Sequence, residues 1–270
     1  MTESDVIRES VDGPVVHDRL VGDLTRLGIE PGMTLLVHCS LSSIWWVVGG
    51  PVTVIRALLE CIGPQGTLVM PTHSGDLSDP SEWVNPPVDP GWWPTIRQNM
   101  PAFDRDLTPT RGMGVVAECF RRAKGCLRSG HPQFSFAAFG PKAEFITNKH
   151  ALESSFGEQS PLAKIYDLEG RILLLGVSHE SNTSLHLAET RASYGTKRFI
   201  SHGTPISING VTQWTQFNDL DPKADDFIQL GQAYEASHMY SRGSIGAATS
   251  ILLPQRELTD FAVDWLESHR

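Results

Sequence analysis

Short apolar runs alternate along the chain with longer segments in which apolar residues recur every three or four positions. The short runs are typical of buried strands, and they lie at residues 34–39, 67–71 and 172–177. The longer segments predict helices at residues 15–27, 51–62, 161–168, 182–191 and 256–269. Ser160 and Pro161 form an N-cap and a first-turn proline, and Gly28, Gly63 and Gly170 follow helix ends. This alternation of strand and helix is typical of an α/β protein.

Two segments depart from the alternation. Asn209-Gly210 predicts the tight turn of an antiparallel hairpin, because both turn positions need a positive φ. Residues 76–110 carry seven prolines and three tryptophans with little periodicity, and they predict a long surface loop with a functional role. We therefore predict a single α/β domain over residues 1–270. Its central sheet is mostly parallel or mixed and flanked by helices, with an antiparallel hairpin and a long substrate loop added.

The composition narrows the class of partner. The 270 residues include 31 acidic and 22 basic side chains, a formal net charge of −9, and no basic stripe that would indicate nucleic-acid binding. Cationic or amine-bearing ligands suit this charge better. The polar opening predicts no signal peptide, and the apolar runs are too short to span a bilayer, so we expect a cytoplasmic protein without a membrane partner. The four cysteines, which include no CxxC pair, predict free reduced thiols.

His179 is the first candidate for catalysis, because it follows a predicted buried strand and precedes a predicted helix. Ligands of open α/β sheets bind at that edge. The positive end of a helix favours the neutral imidazole that a general base needs. The structural alternative is a loop histidine that only caps the helix, and position alone does not choose between the two. The neighbouring Ser181, Asn182, Thr183 and Ser184 could cap the helix or bind a ligand.

His179, His186 and Glu189 also suggest a metal site. The two histidines are seven residues apart, which is not the i, i+4 pair of a helical zinc site. We interpret His186 and Glu189 as packed or hydrogen-bonded helix residues. The sequence therefore predicts no metal.

Further candidates lie at turns that precede helices and in acidic clusters. The turn after residues 34–39 and the segment around Arg111 could each present backbone N–H groups to an anion. Cys39 or Ser40 could act as a nucleophile, although neither lies in a GxSxG motif and a buried cysteine is usually inert. The acidic residues form either a solvated face or a pocket for a polycation. They are Asp76, Asp79, Asp219, Asp221, Asp225 and Asp226.

Four segments together resemble one family: PGMTLLVHCSLSSI, MPAFDRDLTPTRGMG, LRSGHPQFSFAAFGP and FGEQSPLAKIYDLEGRILLLGVSHESNTSLHLAE. They are similar to the aminoglycoside 3-N-acetyltransferases, which are distinct from the GNAT acetyltransferases. The resemblance implies that acetyl-CoA donates an acetyl group to the 3-amino group of the 2-deoxystreptamine ring, which confers antibiotic resistance. It implies a direct transfer with acetyl-CoA as co-substrate.

The resemblance also implies roles for individual residues. His179 corresponds to the catalytic histidine, with Asp221 orienting it and Asp219 holding substrate ammonium groups, or with these two roles exchanged. Thr183 or backbone N–H groups would stabilise the oxyanion. The expected substrate-binding residues are Asp76, Asp79, Asp219, Glu180 and Asn182. The expected CoA-binding residues are Ser40, Leu41, Ser42, Ser43, Trp46, Thr110, Arg111, Gly112, Met113, Ser129, His131 and Phe134.

One departure from the family concerns the turn after the first strand. Family members commonly have glycine and then tryptophan after SLSSI, whereas this chain has Trp45 before Trp46. Such an indole would narrow the CoA turn or swing outward. Two other functions stay open on the sequence: a CoA-dependent N-acyltransferase for another amine metabolite, and a binder of cations without catalysis. The expected assembly is a monomer or a homodimer.

Overall fold

Three parallel strands form the centre of a seven-stranded sheet in the computed structural model, which describes residues 2–270. The strand order is β3-β4-β2-β1-β5-β9-β8. The strands are β1 (Thr34–Cys39), β2 (Thr67–Pro71), β3 (Leu127–Arg128), β4 (Phe136–Phe139), β5 (Arg171–Leu175), β8 (Ser241–Ile245) and β9 (Ala248–Pro254). Strand β1 pairs in parallel with β2 and β5, and the outer pairs are antiparallel. The predicted mixed sheet is confirmed, with parallel pairing confined to its centre.

Helices cover both faces of this sheet because the side chains of the central strands alternate between two cores. Leu35 and Val37 pack with α2, α3 and α5, whereas Leu36 packs with α6 and α7 on the opposite face. Ile172 and Leu174 of β5 pack with α8, α9 and α10. The helices are α1 (Glu3–Glu9), α2 (His17–Leu27), α3 (Pro51–Ile62), α4 (Trp93–Asn99), α5 (Gly114–Arg121), α6 (Ala143–Thr147), α7 (Pro161–Asp167), α8 (Ser184–Arg191), α9 (Phe227–Ser237) and α10 (Gln255–His269).

Most predicted elements are present within two residues of their predicted bounds. The strands at 34–39 and 67–71 and the helix at 51–62 have the predicted ends. Strand β6 (Phe199–Ile208) and strand β7 (Val211–Leu220) form the predicted hairpin, with Asn209 at φ 52° and Gly210 at φ 80°. Residues 76–110 are less irregular than predicted, because they contain helix α4 and short 3₁₀ turns. Within residues 2–270, no helix is both long and apolar enough to cross a membrane.

Ser160 caps α7, and its removal is expected to lower the free energy of unfolding by about 1 kcal/mol. The Ser160 hydroxyl is buried and accepts a hydrogen bond from the Leu162 N–H at 3.2 Å. Chemical denaturation of Ser160→Ala measures this loss. Ser268→Ala is the matched control, because its exposed hydroxyl only donates to the Asp264 carbonyl. Equal stability of the two variants would contradict the capping role.

Candidate active site

A cavity of about 1140 Å³ opens at the carboxyl ends of β1, β2 and β5. Its wall includes Cys39 at the end of β1 and Ser40 after it, His73 after β2, and Val177 and Glu180 after β5. Parallel strands end at the same edge of a sheet, so the residues that follow them meet there. The cavity therefore lies at the edge that the sequence predicted.

Two helix N-termini also reach the cavity. Gly49 and Gly50 at the start of α3, and Met113 and Gly114 at the start of α5, line its wall. Gly50 and Gly114 have positive φ values of 57° and 78°, a conformation that suits glycine. No side-chain hydrogen bond caps either helix. Pro51 has no N–H and the Thr53 N–H donates to the Gly50 carbonyl at 3.2 Å, so α3 offers the Val52 N–H to an anion, and α5 offers the N–H groups of its first turn.

Three histidines line the cavity, and two of them are held neutral. Burial, with a smaller contribution from the nearby His186, lowers the pKa of His38 and of His73 to about 3. Neither imidazole gains a carboxylate partner among the described residues. They are therefore poor proton acceptors at neutral pH. His186 has a different environment.

His186 and Glu189 form a hydrogen-bonded pair one turn apart on α8. The Nδ1 atom of His186 lies within a short hydrogen bond of a Glu189 carboxylate oxygen. Because an ionised carboxylate only accepts, Nδ1 carries the hydrogen and the neutral ring keeps its lone pair on Nε2. The ring stacks on Phe156, with centroids 4.7 Å apart, which fixes its orientation. This is the arrangement of a general base with an orienting carboxylate.

Thr183 precedes α8 and lines the same wall. Its hydroxyl lies 3.4 Å from the Nε2 atom of His38, the buried histidine on β1. The carbonyl of Thr183 accepts a hydrogen bond from the His186 N–H at 3.1 Å. The predicted oxyanion donor thus lies in the cavity beside the His186–Glu189 pair.

His179 lies behind the cavity rather than in its wall. Its ring is buried, with Nε2 3.0 Å from a Glu235 carboxylate oxygen and Nδ1 3.4 Å from the Asn182 amide. Burial lowers the pKa of His179, and Glu235 opposes that shift. His179, the base that the sequence predicted, does not line the cavity, because the 3₁₀ turn from His179 to Ser181 points its ring toward Gly231 of α9.

Asp221 does not orient His179, since its carboxylate lies 3.6 Å from Arg198 and 4.0 Å from the Lys223 amine. Glu235 takes that place. Its second carboxylate oxygen accepts hydrogen bonds from the Tyr240 hydroxyl at 3.0 Å and from Arg242 at 3.1 Å. Glu235 lies on α9, and its partners Tyr240 and Arg242 lie just before and within β8. All three are far from His179 in the chain, so sequence spacing carried no signal for them.

Of the five predicted substrate-binding residues, Glu180 alone lines the cavity. Asp76 pairs with Arg111, and Asp79 accepts two hydrogen bonds from Arg97 at 3.0 and 2.6 Å. Asp219 is buried and accepts from the Ser155 N–H at 2.8 Å. Asn182 caps α8 by accepting from the Ser184 N–H at 3.2 Å. These other four side chains hold loops together instead of facing the cavity.

The predicted CoA-binding residues divide in the same way. Seven of them line the cavity: Ser40, Leu41, Ser42, Trp46, Gly112, Met113 and Phe134. The other five serve the surrounding structure. Ser43 donates to Ser40 and Gly176, Thr110 to Glu118, and Arg111 to Asp76. Ser129 contacts His150, and His131 accepts from the N–H groups of Gln133 and Phe134.

Trp45 has an unusual backbone in the cavity wall, with φ 82° and ψ −170°. This region is essentially restricted to glycine and costs about 1–3 kcal/mol for another residue. Glycine adopts this backbone conformation without that cost, so glycine suits the position better than tryptophan. The Trp45 indole packs against the core and lines the cavity, so it narrows the space beside the turn from Leu41 to Ile44.

The alternative nucleophiles lack activation. Burial raises the pKa of the Cys39 thiol to about 12, which keeps it protonated. The Ser40 hydroxyl contacts the hydroxyls of Ser42 and Ser43. All four cysteines are unpaired. Across residues 2–270, no group of three or more His, Cys, Asp or Glu side chains is arranged to hold a metal ion.

Comparison with known proteins assigns this chain to an enzyme family. The family model described as aminoglycoside 3-N-acetyltransferase matches residues 36–267. The YokD protein of Bacillus subtilis strain 168, an aminoglycoside N(3')-acetyltransferase-like protein from prophage SPbeta, is 45% identical over 260 residues, covering 96% of this chain and 95% of the relative. Aminoglycoside N(3)-acetyltransferase VII of Streptomyces paromomycinus is 36% identical over 286 residues, covering 99% and 96%. The chain belongs to the aminoglycoside 3-N-acetyltransferase family, a class of acyltransferases.

Solved structures agree with that assignment. The crystal structure of YokD superposes with a TM-score of 0.96 at 43% identity, covering 98% of each chain. AAC-IIIb in a binary complex with CoASH has a TM-score of 0.84 at 33% identity and covers 95% of this chain and 97% of its own. AAC-VIa bound to sisomicin has a TM-score of 0.87 at 29% identity, covering 96% and 99%.

Sequence reasoning did not identify the His186–Glu189 pair as a candidate base and carboxylate, although one signal was present. Residues three apart on a helix lie on the same face within reach of each other. The i, i+3 spacing of a histidine and a glutamate is therefore compatible with a base and its orienting carboxylate, whereas the sequence alone suggested either metal ligands or packed, hydrogen-bonded helix residues. His38 and His73 had no comparable signal, because their place in the cavity depends on the sheet.

Proposed function

We propose that this protein transfers the acetyl group of acetyl-CoA to the 3-amino group of aminoglycosides, with His186 as the general base. The observation that carries the proposal is the position of His186 in the cavity wall together with its hydrogen bond to the buried Glu189. Membership of the family supports the reaction class, and a family member binds CoASH.

In the proposed reaction, Nε2 of His186 accepts a proton from the attacking amine. The amine nitrogen forms a bond to the thioester carbonyl carbon, the C–S bond breaks, and the His186 imidazolium returns the proton to the sulfur, so that CoA leaves as its thiol. Glu189 stabilises the imidazolium that forms, because its carboxylate accepts the Nδ1 hydrogen bond. Such a positioned base contributes about 10²–10⁴-fold to the rate, and orientation of the two substrates contributes further.

The proposed CoA site lies at the N-termini of α3 and α5. Both helices present N–H groups and the positive end of their dipoles to the cavity, which suits the pyrophosphate of CoA. Leu41, Trp46 and Met113 supply apolar wall for the pantetheine chain. The proposed oxyanion donor is the Thr183 hydroxyl, held beside His38.

The proposed drug site lies on the side of the cavity formed by α8 and the turn before it. Glu180 is exposed there and can accept a hydrogen bond from a substrate ammonium group, worth about 1.5–3 kcal/mol. The net charge of −9 favours the approach of a polycation. Sisomicin, which a family member binds, is the first drug to test.

The test is thiol release from acetyl-CoA with sisomicin, gentamicin, apramycin, neomycin and a plain polyamine, with products identified by mass spectrometry. We expect mono-acetylation at N3 of at least one aminoglycoside. Acetylation of the polyamine with none of the drugs would replace the proposal with an N-acyltransferase for another amine. Thiol release without an acetylated product would contradict both.

A further inference from the structure

The carboxylate of Glu189 is fully buried, and its two oxygens have different partners. One oxygen accepts the hydrogen bond of His186, and the other accepts from the Arg270 guanidinium and from the Lys223 N–H at 3.1 Å. Arg270 also binds Asp226, with Nε 2.7 Å from Oδ2 and Nη2 2.5 Å from Oδ1. Groups of alternating charge thus run from the cavity wall to the start of α9.

We propose that Arg270 is a positioning residue for acetyl transfer, which holds Glu189 against His186 and, together with Asp226, sets the pH range in which His186 works as a base. This inference rests on the proposed function. Arg270 lies beyond residues 36–267, the part of the chain that the family model matches.

Burial makes the Arg270 contact necessary. An unpaired buried carboxylate is strongly unfavourable, and it would take up a proton instead of staying ionised. The guanidinium side chain is 10% exposed and neutralises Glu189 inside the fold. Ion pairs with Asp226 and Glu189 outweigh the burial that would lower the Arg270 pKa, and they raise it above its usual range. Arg270 therefore stays charged across the working pH range.

The charge of Arg270 also acts on the proton that His186 must accept. A positive charge next to Glu189 makes the His186–Glu189 pair bind a proton less tightly, whichever of the two residues carries it. Asp226 partly cancels that charge. Loss of Arg270 and loss of the Asp226 charge are therefore expected to change the proton affinity of the pair in opposite directions.

Other titratable groups also face the His186–Glu189 pair and Arg270. They are the same in the variants that lack Arg270 and in those that lack the Asp226 charge. Around Glu189 these are Tyr194 and Lys197, whose amine donates to the Thr190 and Ala192 carbonyls, and around Arg270 they are Asp221, Lys223 and Asp225. Across the cavity, His38 and His73 are neutral because burial lowers the pKa of each to about 3. None of these side chains bridges Glu189 and Asp226 as Arg270 does.

The experiment measures kcat/KM against pH with acetyl-CoA and an accepted aminoglycoside for Arg270→Met, Arg270→Lys and Asp226→Asn. The acid limb of this pH profile is the low-pH range in which activity falls as the proposed base becomes protonated. In Arg270→Met this limb is expected to move up by about one pH unit, and in Asp226→Asn it is expected to move down. Arg270→Lys restores the charge, so its acid limb should return toward that of the unchanged protein. The KM for acetyl-CoA should stay constant, because Arg270 does not line the cavity.

Shifts in the same direction for Arg270→Met and Asp226→Asn, or no shift in either, would overturn the role of Arg270. If Arg270→Met does not fold, as judged by its thermal transition, the opposite-signed shift of Asp226→Asn and the behaviour of Arg270→Lys decide the question. His186→Asn separates the two proposals. Full activity in that variant overturns the proposed function, whereas loss of activity there with unmoved acid limbs in the other variants overturns the Arg270 inference alone.

Discussion

His186→Asn is expected to lower kcat/KM by about 10²–10⁴-fold while leaving CoA binding nearly unchanged. The Asn side-chain nitrogen can take the place of Nδ1 and keep the hydrogen bond to Glu189. The substitution removes the Nε2 atom that we propose as the proton acceptor, together with the part of the ring that stacks on Phe156. Steady-state kinetics measure the first effect, and a CoA titration followed by calorimetry measures the second.

His179→Asn is the matched control for that experiment. His179 contacts Glu235 and Asn182 and lies outside the cavity wall, so its loss is expected to reduce activity far less and to keep the acid limb of the pH profile. If His179→Asn lost as much activity as His186→Asn and also lost its acid limb, the base would be His179 and the assignment to His186 would be wrong.

Gly231→Ala is expected to lower the free energy of unfolding, although the position lies inside a helix. Replacing a helical glycine with alanine normally stabilises a protein by up to about 1 kcal/mol. Here a Cβ atom would lie within 2.5 Å of three atoms of the buried His179 ring. Overpacking of this kind costs about 1–3 kcal/mol, which exceeds the helical gain. Chemical denaturation measures the net change.

Gly22→Ala on α2 is the matched control for Gly231→Ala. Its Cβ would meet only the flexible end of Arg26, at 3.3 Å, so the helical gain should appear there. A second test places Gly231→Ala in a His179→Ala background, where the overlap is absent and the substitution should stabilise the protein. Destabilisation of similar size in both backgrounds would show that His179 is not the obstacle.

Activity is expected to fall together with stability in Gly231→Ala. The displaced His179 ring contacts the Asn182 amide, and Asn182 caps the start of α8. Movement of that cap would shift the helix that carries His186. The variant therefore connects the stability of the His179 contacts with the geometry of the proposed base.

The local pattern of the chain was sufficient for the three central strands, the hairpin, five of the helices and the edge at which the cavity lies, but it did not predict β3, β4, β8 or β9. Buried strands show as short apolar runs, and the end of β5 followed by a helix marked the edge where ligands bind. Ser160, Asn209 and Gly210 have the caps and turn conformations that their residue types predict. Four sequence segments that resemble the family were also enough to indicate it, and the match to the family model confirms the assignment.

The proposed identity of the base depends on tertiary structure. Both His179 and His186 lie near the same helix start, and sequence position does not show which ring faces the cavity. The choice follows from partners distant in the chain, because Glu235 is 56 residues from His179 and Arg270 is 81 residues from Glu189. Likewise, Asp79 and Asp219 have the charge for substrate binding, but Arg97 and the Ser155 N–H already occupy them. Local periodicity sets which residues share a helix face, whereas the packing of α8, α9 and α10 against the sheet decides what each face meets.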